Sequence, residues 1–174
     1  RGFAAVRDRD GRFVTDMQAC HTLFPTVADA LPALAALVGE LEARATIPQI
    51  EVSCGDDSAA LVFRHLEPLS DADRERLERF ERDTKLRLYL QPKGPDTVHP
   101  LCPGPSRLAY RIPEEDLEFA FEPLDFIQVN ASLNRRMITQ ALDLLQLEPS
   151  DRVLDLFCGL GNFTLPLAKR AGDV

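Results

Sequence analysis

No apolar run in this sequence approaches the ~20 residues that a membrane span requires, and the first residues lack the charged-then-apolar pattern of a secretory signal. No membrane association is expected, and a cytoplasmic protein is. Cysteine is sparse: Cys20, Cys54, Cys102 and Cys158 lie far apart with no CxxC pair, so a disulfide framework is not expected. Net positive charge is missing as well. Twenty Lys and Arg against 28 Asp and Glu leave −8, which argues against a protein that grips nucleic acid over its whole surface, because phosphate contacts need clustered cations. A local basic face remains open. The one glycine-paired turn, near Gly159, lacks the spacing and the Lys-Ser/Thr pair of a phosphate-binding P-loop.

What is present suits a packed core: 174 residues with 45% hydrophobic and 28% charged side chains have room for one medium domain or two small ones. Asp8-Arg9-Asp10-Gly11 lies between two short extended runs and reads as a hairpin turn, with Cys20 and His21 soon after. Pro25 stands where a helix can begin, and Val27, Leu31, Leu34, Val38 and Leu41 recur at helical spacing. Pro32 is expected in the first turns, with the helix starting near it. Residues 50–66 form a second hairpin about Gly55-Asp56-Asp57-Ser58, with Ile50, Val52 and Cys54 on its apolar face. Ser70 is a candidate N-cap for a charged helix with Leu77 and Phe80 as its buried stripe, its Arg and Glu residues forming a solvated face.

Three alternating strands follow, at Leu86–Gln91, Arg107–Ile112 and Leu117–Glu122, each with one face to bury. The segment between the first two is rich in proline and glycine and reads as a loop, which leaves His99 and Cys102 without regular support. Residues 1–123 are thus expected to form an α+β domain with a mainly antiparallel sheet.

The character changes after Pro123. Asn130 is a candidate N-cap, and Leu133, Met137, Ala141, Leu142 and Leu145 form a helical stripe that ends before Pro149. Val153–Phe157 then reads as a short buried strand, Gly159 and Gly161 as a tight turn, and Asn162 as the opening of a helix. Asp155 is placed to anchor that turn or to meet a polar ligand group. Residues 124–174 are therefore expected to be the first helix and first βα unit of a class I, Rossmann-like domain. Such a sheet needs further parallel strands, and the sequence starts without methionine in an apparent strand, so a portion of a longer protein is expected.

Two segments carry a family resemblance. FIQVN at Phe126–Asn130, the intervening helix, and DLFCGLGNF at Asp155–Phe163 resemble the RNA (uracil-5-)-methyltransferases, most closely the bacterial 23S rRNA subfamily. LEPLSDADRERLERF at residues 66–80 and the GF…C arrangement ending at Cys20 extend the likeness over nearly the whole chain. The resemblance implies methylation of uracil carbon 5 with S-adenosylmethionine as cofactor and 23S rRNA as partner, by a protein that is monomeric. It implies that Gln128 contacts the cofactor, that Phe157 and Asn162 line its pocket, and that Asp155, Gly159 and Gly161 shape the turn. Cys20 would be the last ligand of a [4Fe–4S] cluster whose other ligands lie upstream of Arg1. Phe126 would line the pocket for the target base. The nucleophilic cysteine and the basic glutamate are expected beyond Val174, and Cys158, inside the turn, has no catalytic role. A tRNA-directed relative is the near alternative. A non-catalytic RNA-binding module with residues 1–123 as its surface is a second, against which the acidic balance speaks.

Overall fold

The fold is that of a computed structural model, which describes residues 5–7, 14–16, 19–104 and 108–174, with the backbone alone at 5–7 and 14–16. Two compact units result. One comprises residues 1–54 and 58–106, and the other Gly55–Asp57 and Arg107–Val174.

In the first unit, β1 (Ala5–Arg7) pairs antiparallel with β2 (Val14–Asp16), as a hairpin requires; the expected Asp8–Gly11 turn lies outside the described residues. Helix α1 spans Pro25–Glu40 and buries Val27, Leu31, Leu34 and Leu37. It starts at Pro25, so Pro32 is interior, contrary to the expected start. Pro32 is tolerated because it sits on the exposed side, where water can take the carbonyl it leaves unbonded.

Strands β3 (Gln49–Cys54) and β4 (Ala59–Arg64) form the expected hairpin, Cys54 pairing with Ala59. The chain then crosses over through α2 (Asp71–Thr84), so β5 (Arg87–Gln91) pairs parallel with β4. The mainly antiparallel sheet is thus mixed, in the order β3-β4-β5-β6. Its fourth strand, β6 (His99–Pro100), is two residues of the segment expected to be all loop. Register sets Leu61 opposite Leu88 and Phe63 opposite Leu90, and these four join Leu34, Leu37, Leu77 and Phe80 in one core. Each leucine so buried contributes about 2 kcal/mol. The other face of the two central strands is buried too, at Val62 and Tyr89, so β5 does not have the single buried face expected of it. In β3, at the edge, Ile50 and Cys54 of the expected apolar face pack against the core, whereas Val52 is exposed and Ser53 is buried.

Ser70 caps α2 as expected, accepting from the Asp73 backbone N–H at 3.2 Å. Asp73 is fully buried and accepts the Glu42 and Ala43 backbone N–H groups, both at 2.9 Å, at the start of the 3-10 turn Glu42–Ala45. One carboxylate therefore terminates two orphan donors of a turn distant in sequence.

In the second unit, β7 (Leu108–Ile112) and β8 (Leu117–Phe121) form the expected antiparallel pair, and Tyr110 stacks on Phe119 with centroids 4.9 Å apart. Helix α3 (Ala131–Leu145) is capped by Asn130, whose side chain accepts from the Leu133 N–H at 3.0 Å. Its buried residues are Asn134, Ile138 and Leu142, whereas Leu133 and Leu145 of the expected stripe are exposed. The side of α3 that finds a partner is the one that joins Ile112, Phe119 and Leu167 in a second core. These contacts hold β7 and β8 in one compact unit with α3.

The expected strand at Val153–Phe157 does not form. Leu154 is 80% and Leu156 69% exposed, and only Arg152 makes a bridge, parallel to Asp173. The following helix, α4, is a single short piece, Thr164–Ala168. Arg170 fixes its C-terminal end by a two-pronged ion pair with buried Glu115, at 2.7 and 2.9 Å, and Lys169 Nζ donates to the Glu115 carbonyl. No helix among the described residues is long and apolar enough to cross a membrane.

Candidate cofactor site

Asp155 to Thr164 is a loop whose backbone alternates into the left-handed region, at Phe157 (φ 63°), Gly159 (φ 56°) and Gly161 (φ 87°). Glycine takes such angles freely; a phenylalanine there is strained. A Cβ on Gly159 would meet nothing within 4 Å, so the space over that residue is open. Gly161 is buried, and its N–H closes the turn onto the Cys158 carbonyl at 2.9 Å. The Phe157 ring stands fully in solvent at 102% relative exposure, and Gln128, two residues before the α3 cap, is exposed.

Two sets of hydrogen bonds hold the loop. At its start and end, Asp155 Oδ2 accepts the Thr164 hydroxyl at 2.6 Å, which ties residue 155 to the first turn of α4. That bond anchors the turn, one of the two roles open to Asp155. Near the end, Asn162 and buried Asn134 of α3 exchange amide bonds: Asn134 Nδ2 donates to Asn162 Oδ1 at 2.9 Å, and Asn162 Nδ2 to Asn134 Oδ1 at 2.8 Å. The Tyr110 hydroxyl adds a third bond, donating to Asn162 Oδ1 at 3.1 Å. Burial pushes the Tyr110 phenol up to about 12, so it remains a donor across the ordinary pH range.

Asp155, Phe157, Gly159, Gly161 and Asn162 lie in one loop, and Gln128 is exposed in the segment before α3. Phe126 is likewise exposed. Sequence reading missed Asn134 and Tyr110. The available signal was phase: Asn134 stands four residues before Ile138 and eight before Leu142, a polar residue in an otherwise apolar row.

An exposed amide can meet a carboxylate or amine, an exposed ring can pack on an aliphatic chain or a base, and an open glycine turn admits close approach. Among the described residues, no group of three or more His, Cys, Asp or Glu could hold a metal ion. Cys20 Sγ and Thr22 Oγ1 lie in hydrogen-bond contact at 3.1 Å, and this bond, followed by backbone bonds from Thr22 and Leu23, lowers the thiol pKa.

Known proteins share this sequence and this fold. The family model described as tRNA (Uracil-5-)-methyltransferase matches residues 107–174. The 23S rRNA (uracil(1939)-C(5))-methyltransferase RlmD of Xanthomonas campestris pv. campestris is 53% identical over 168 residues, 97% of this chain and 38% of the relative. The protein of the same description from Xylella fastidiosa is 48% identical over 174 residues, all of this chain and 39% of the relative. The chain therefore spans less than two-fifths of the length of these relatives. Among solved structures, the Pyrococcus abyssi tRNA (uracil-54, C5)-methyltransferase in complex with S-adenosyl-L-homocysteine superposes with a TM-score of 0.63 at 17% identity. That match covers 90% of this chain and 41% of the other, and shows a shared fold. By its sequence, the chain belongs to the RNA (uracil-5-)-methyltransferase family.

Proposed function

We propose that these 174 residues are the central portion of a cytoplasmic S-adenosylmethionine-dependent enzyme that methylates carbon 5 of a uridine in 23S rRNA. The observation that carries this reading is identity of about half, sustained over 97% of the chain, to proteins described as 23S rRNA uracil-5-methyltransferases. Residues 124–174 supply one side of the cofactor site. Gln128, Phe157 and Asn162 meet the cofactor, Gly159 and Gly161 shape the turn, with the open space over Gly159 admitting it, and Asp155 holds the loop that presents them. When bound, the cofactor supplies an electrophilic methyl group.

Methylation at carbon 5 needs that carbon made nucleophilic. A thiolate that adds to carbon 6 achieves this, and a carboxylate that removes the carbon 5 proton after methyl transfer lets the thiolate leave. Both groups are assigned to residues outside these 174. Cys158 is exposed and makes a long contact, 3.9 Å, with the adjacent Gly159 carbonyl; it belongs to the loop and takes no part in the chemistry. Cys20, whose lowered pKa favours the thiolate, is proposed as one ligand of a [4Fe–4S] cluster completed from outside the chain.

The test offers the full-length protein labelled S-adenosylmethionine with 23S rRNA and with tRNA, followed by mapping of the modified base. Label at carbon 5 of a uridine in rRNA is the expected result, and none is expected with the 174 residues alone. Label confined to tRNA would move the assignment to the tRNA-directed branch. Absence of label in both would leave the non-catalytic RNA-binding reading. Turnover by the 174 residues would refute the placement of nucleophile and base elsewhere. Iron and sulfide analysis of the same full-length preparation tests the role of Cys20.

A further inference from the structure

The hydrogen bonds around Asn162 change what that residue can do. A side-chain amide has two N–H donors and two acceptor lone pairs. Asn162 Oδ1 accepts from both Asn134 and Tyr110, which fills it, and one Nδ2 hydrogen is committed to Asn134 Oδ1. A single N–H is left to meet a ligand acceptor. The direction of that N–H is set by the plane of the amide, and the plane is set by Asn134, whose side chain is itself held in a buried position at 4% exposure.

A buried asparagine in the apolar row of a helix is costly unless its amide is paired. Here the pairing is not local. Asn134 reaches 28 residues along the chain to the end of the glycine loop, just after Gly161 and just before α4 begins. With Asp155 holding the loop to Thr164, the loop is clamped at two points, and only the second clamp orients a group that can touch the cofactor.

We propose that Asn134 is a positioning residue of the cofactor site: it acts through Asn162, aligning that amide for the bound cofactor, with Tyr110 as auxiliary donor. This rests on the cofactor reading given under the proposed function. Asn134 itself makes no contact with the reacting groups. Its removal leaves the Asn162 amide held by Tyr110 at Oδ1 alone, so that its N–H groups must be ordered on binding.

The test is a double-mutant cycle in the full-length protein, with S-adenosylhomocysteine affinity read by calorimetry and thermal stability read in parallel. Asn134→Ala and Asn162→Ala are each expected to weaken binding about 10-fold, the worth of one hydrogen bond that needs pre-orientation, and the double variant is expected to be no weaker than Asn162→Ala alone. Tyr110→Phe, which removes one donor and keeps the ring stack, is expected to weaken binding about 3-fold. A purely structural role predicts a loss of stability with unchanged affinity, or losses that add across the cycle; either result overturns the proposal. Should Asn134→Ala fail to fold, Tyr110→Phe decides alone, with unchanged affinity as the overturning result. Failure of the unsubstituted protein to bind S-adenosylhomocysteine would instead overturn the cofactor reading, and this inference with it. Binding that Asn162→Ala weakens and Asn134→Ala leaves intact would overturn this inference only.

Discussion

Gly159 and Gly161 have similar backbone angles and different surroundings, so one substitution made at each separates loop strain from ligand contact. An alanine in the left-handed region costs about 1–2 kcal/mol, and both sites incur it, with φ of 56° and 87°. Sterics add little at either. The new methyl at Gly161 would touch Leu165 Cγ at 3.4 Å and Thr164 Cβ at 3.7 Å, ordinary contacts inside the loop's own helix turn. At Gly159 it would project into open space. That space is where the cofactor is assigned, so Gly159→Ala is expected to destabilise the protein by about 1–2 kcal/mol and also to weaken S-adenosylhomocysteine binding by about 10-fold or more. Gly161→Ala is expected to match it in stability and to change affinity by less than about 3-fold. Urea denaturation and calorimetry on the same preparations of the full-length protein measure both quantities. Equal affinities for the two variants, or a loss confined to Gly161→Ala, would refute the placement of the cofactor over Gly159.

Asp73→Ala leaves the part-buried Glu42 and Ala43 N–H groups without their acceptor, and is expected to cost about 2 kcal/mol in denaturant unfolding without altering cofactor affinity; a loss below about 0.5 kcal/mol would contradict the anchoring role. The Tyr110 phenol is raised to about 12 from 10, so the stability it contributes is whole below pH about 10 and is lost as pH climbs through about 12. Phenolate absorbance should show a late-titrating tyrosine that Tyr110→Phe abolishes. In the 174 residues alone, without a cluster, mass-mapped alkylation near neutral pH should modify Cys20 faster than Cys54 or Cys102. Thr22 lowers the first thiol, and burial raises the other two, with Glu81 and Glu78 adding to the rise at Cys102.

Features settled within a few residues were open to reading from the sequence. Ser70 and Asn130 cap α2 and α3 because a cap bonds an N–H three residues on, and the β7–β8 pair follows from alternation alone. The loop residues Asp155, Gly159 and Gly161 were visible for the same reason. What escaped was decided across the chain. Asp73 reads as an ordinary acid in a helix first turn, yet its carboxylate reaches back 31 residues to Glu42. Glu81 reads as part of a solvated face, yet it is buried and accepts the Leu88 N–H at 3.1 Å while pairing with Arg87 at 2.6 Å. Asn134 and Tyr110 meet Asn162 over separations of 28 and 52 residues, beyond any periodic pattern. Spacing gives the period of a helical stripe, but which side of α3 is buried depends on where Ile112 and Phe119 stand.

The run Val153–Phe157 shows the same dependence for backbone. Its composition suits a buried parallel strand, which is apolar on both faces because helices cover both. Such a strand has no bonds within itself; every N–H and C=O must be met by a neighbour, and every side chain by a covering layer. Among the described residues one rung exists, where Val153 N–H meets the Asp173 carbonyl at 2.9 Å beside the Arg152–Asp173 bridge. Gly172 permits that approach, since a Cβ there would lie 2.2 Å from the Pro149 carbonyl oxygen. Past this rung the run has no partner, so Leu154, Leu156 and Phe157 are left in solvent. The loop that follows is ordered all the same, because its restraints come from α3, α4 and Tyr110 rather than from a sheet. Shape at the glycine turn and strand character before it are therefore separable: the first is carried by Asp155, Asn134 and Asn162, and the second awaits backbone partners that these residues do not provide.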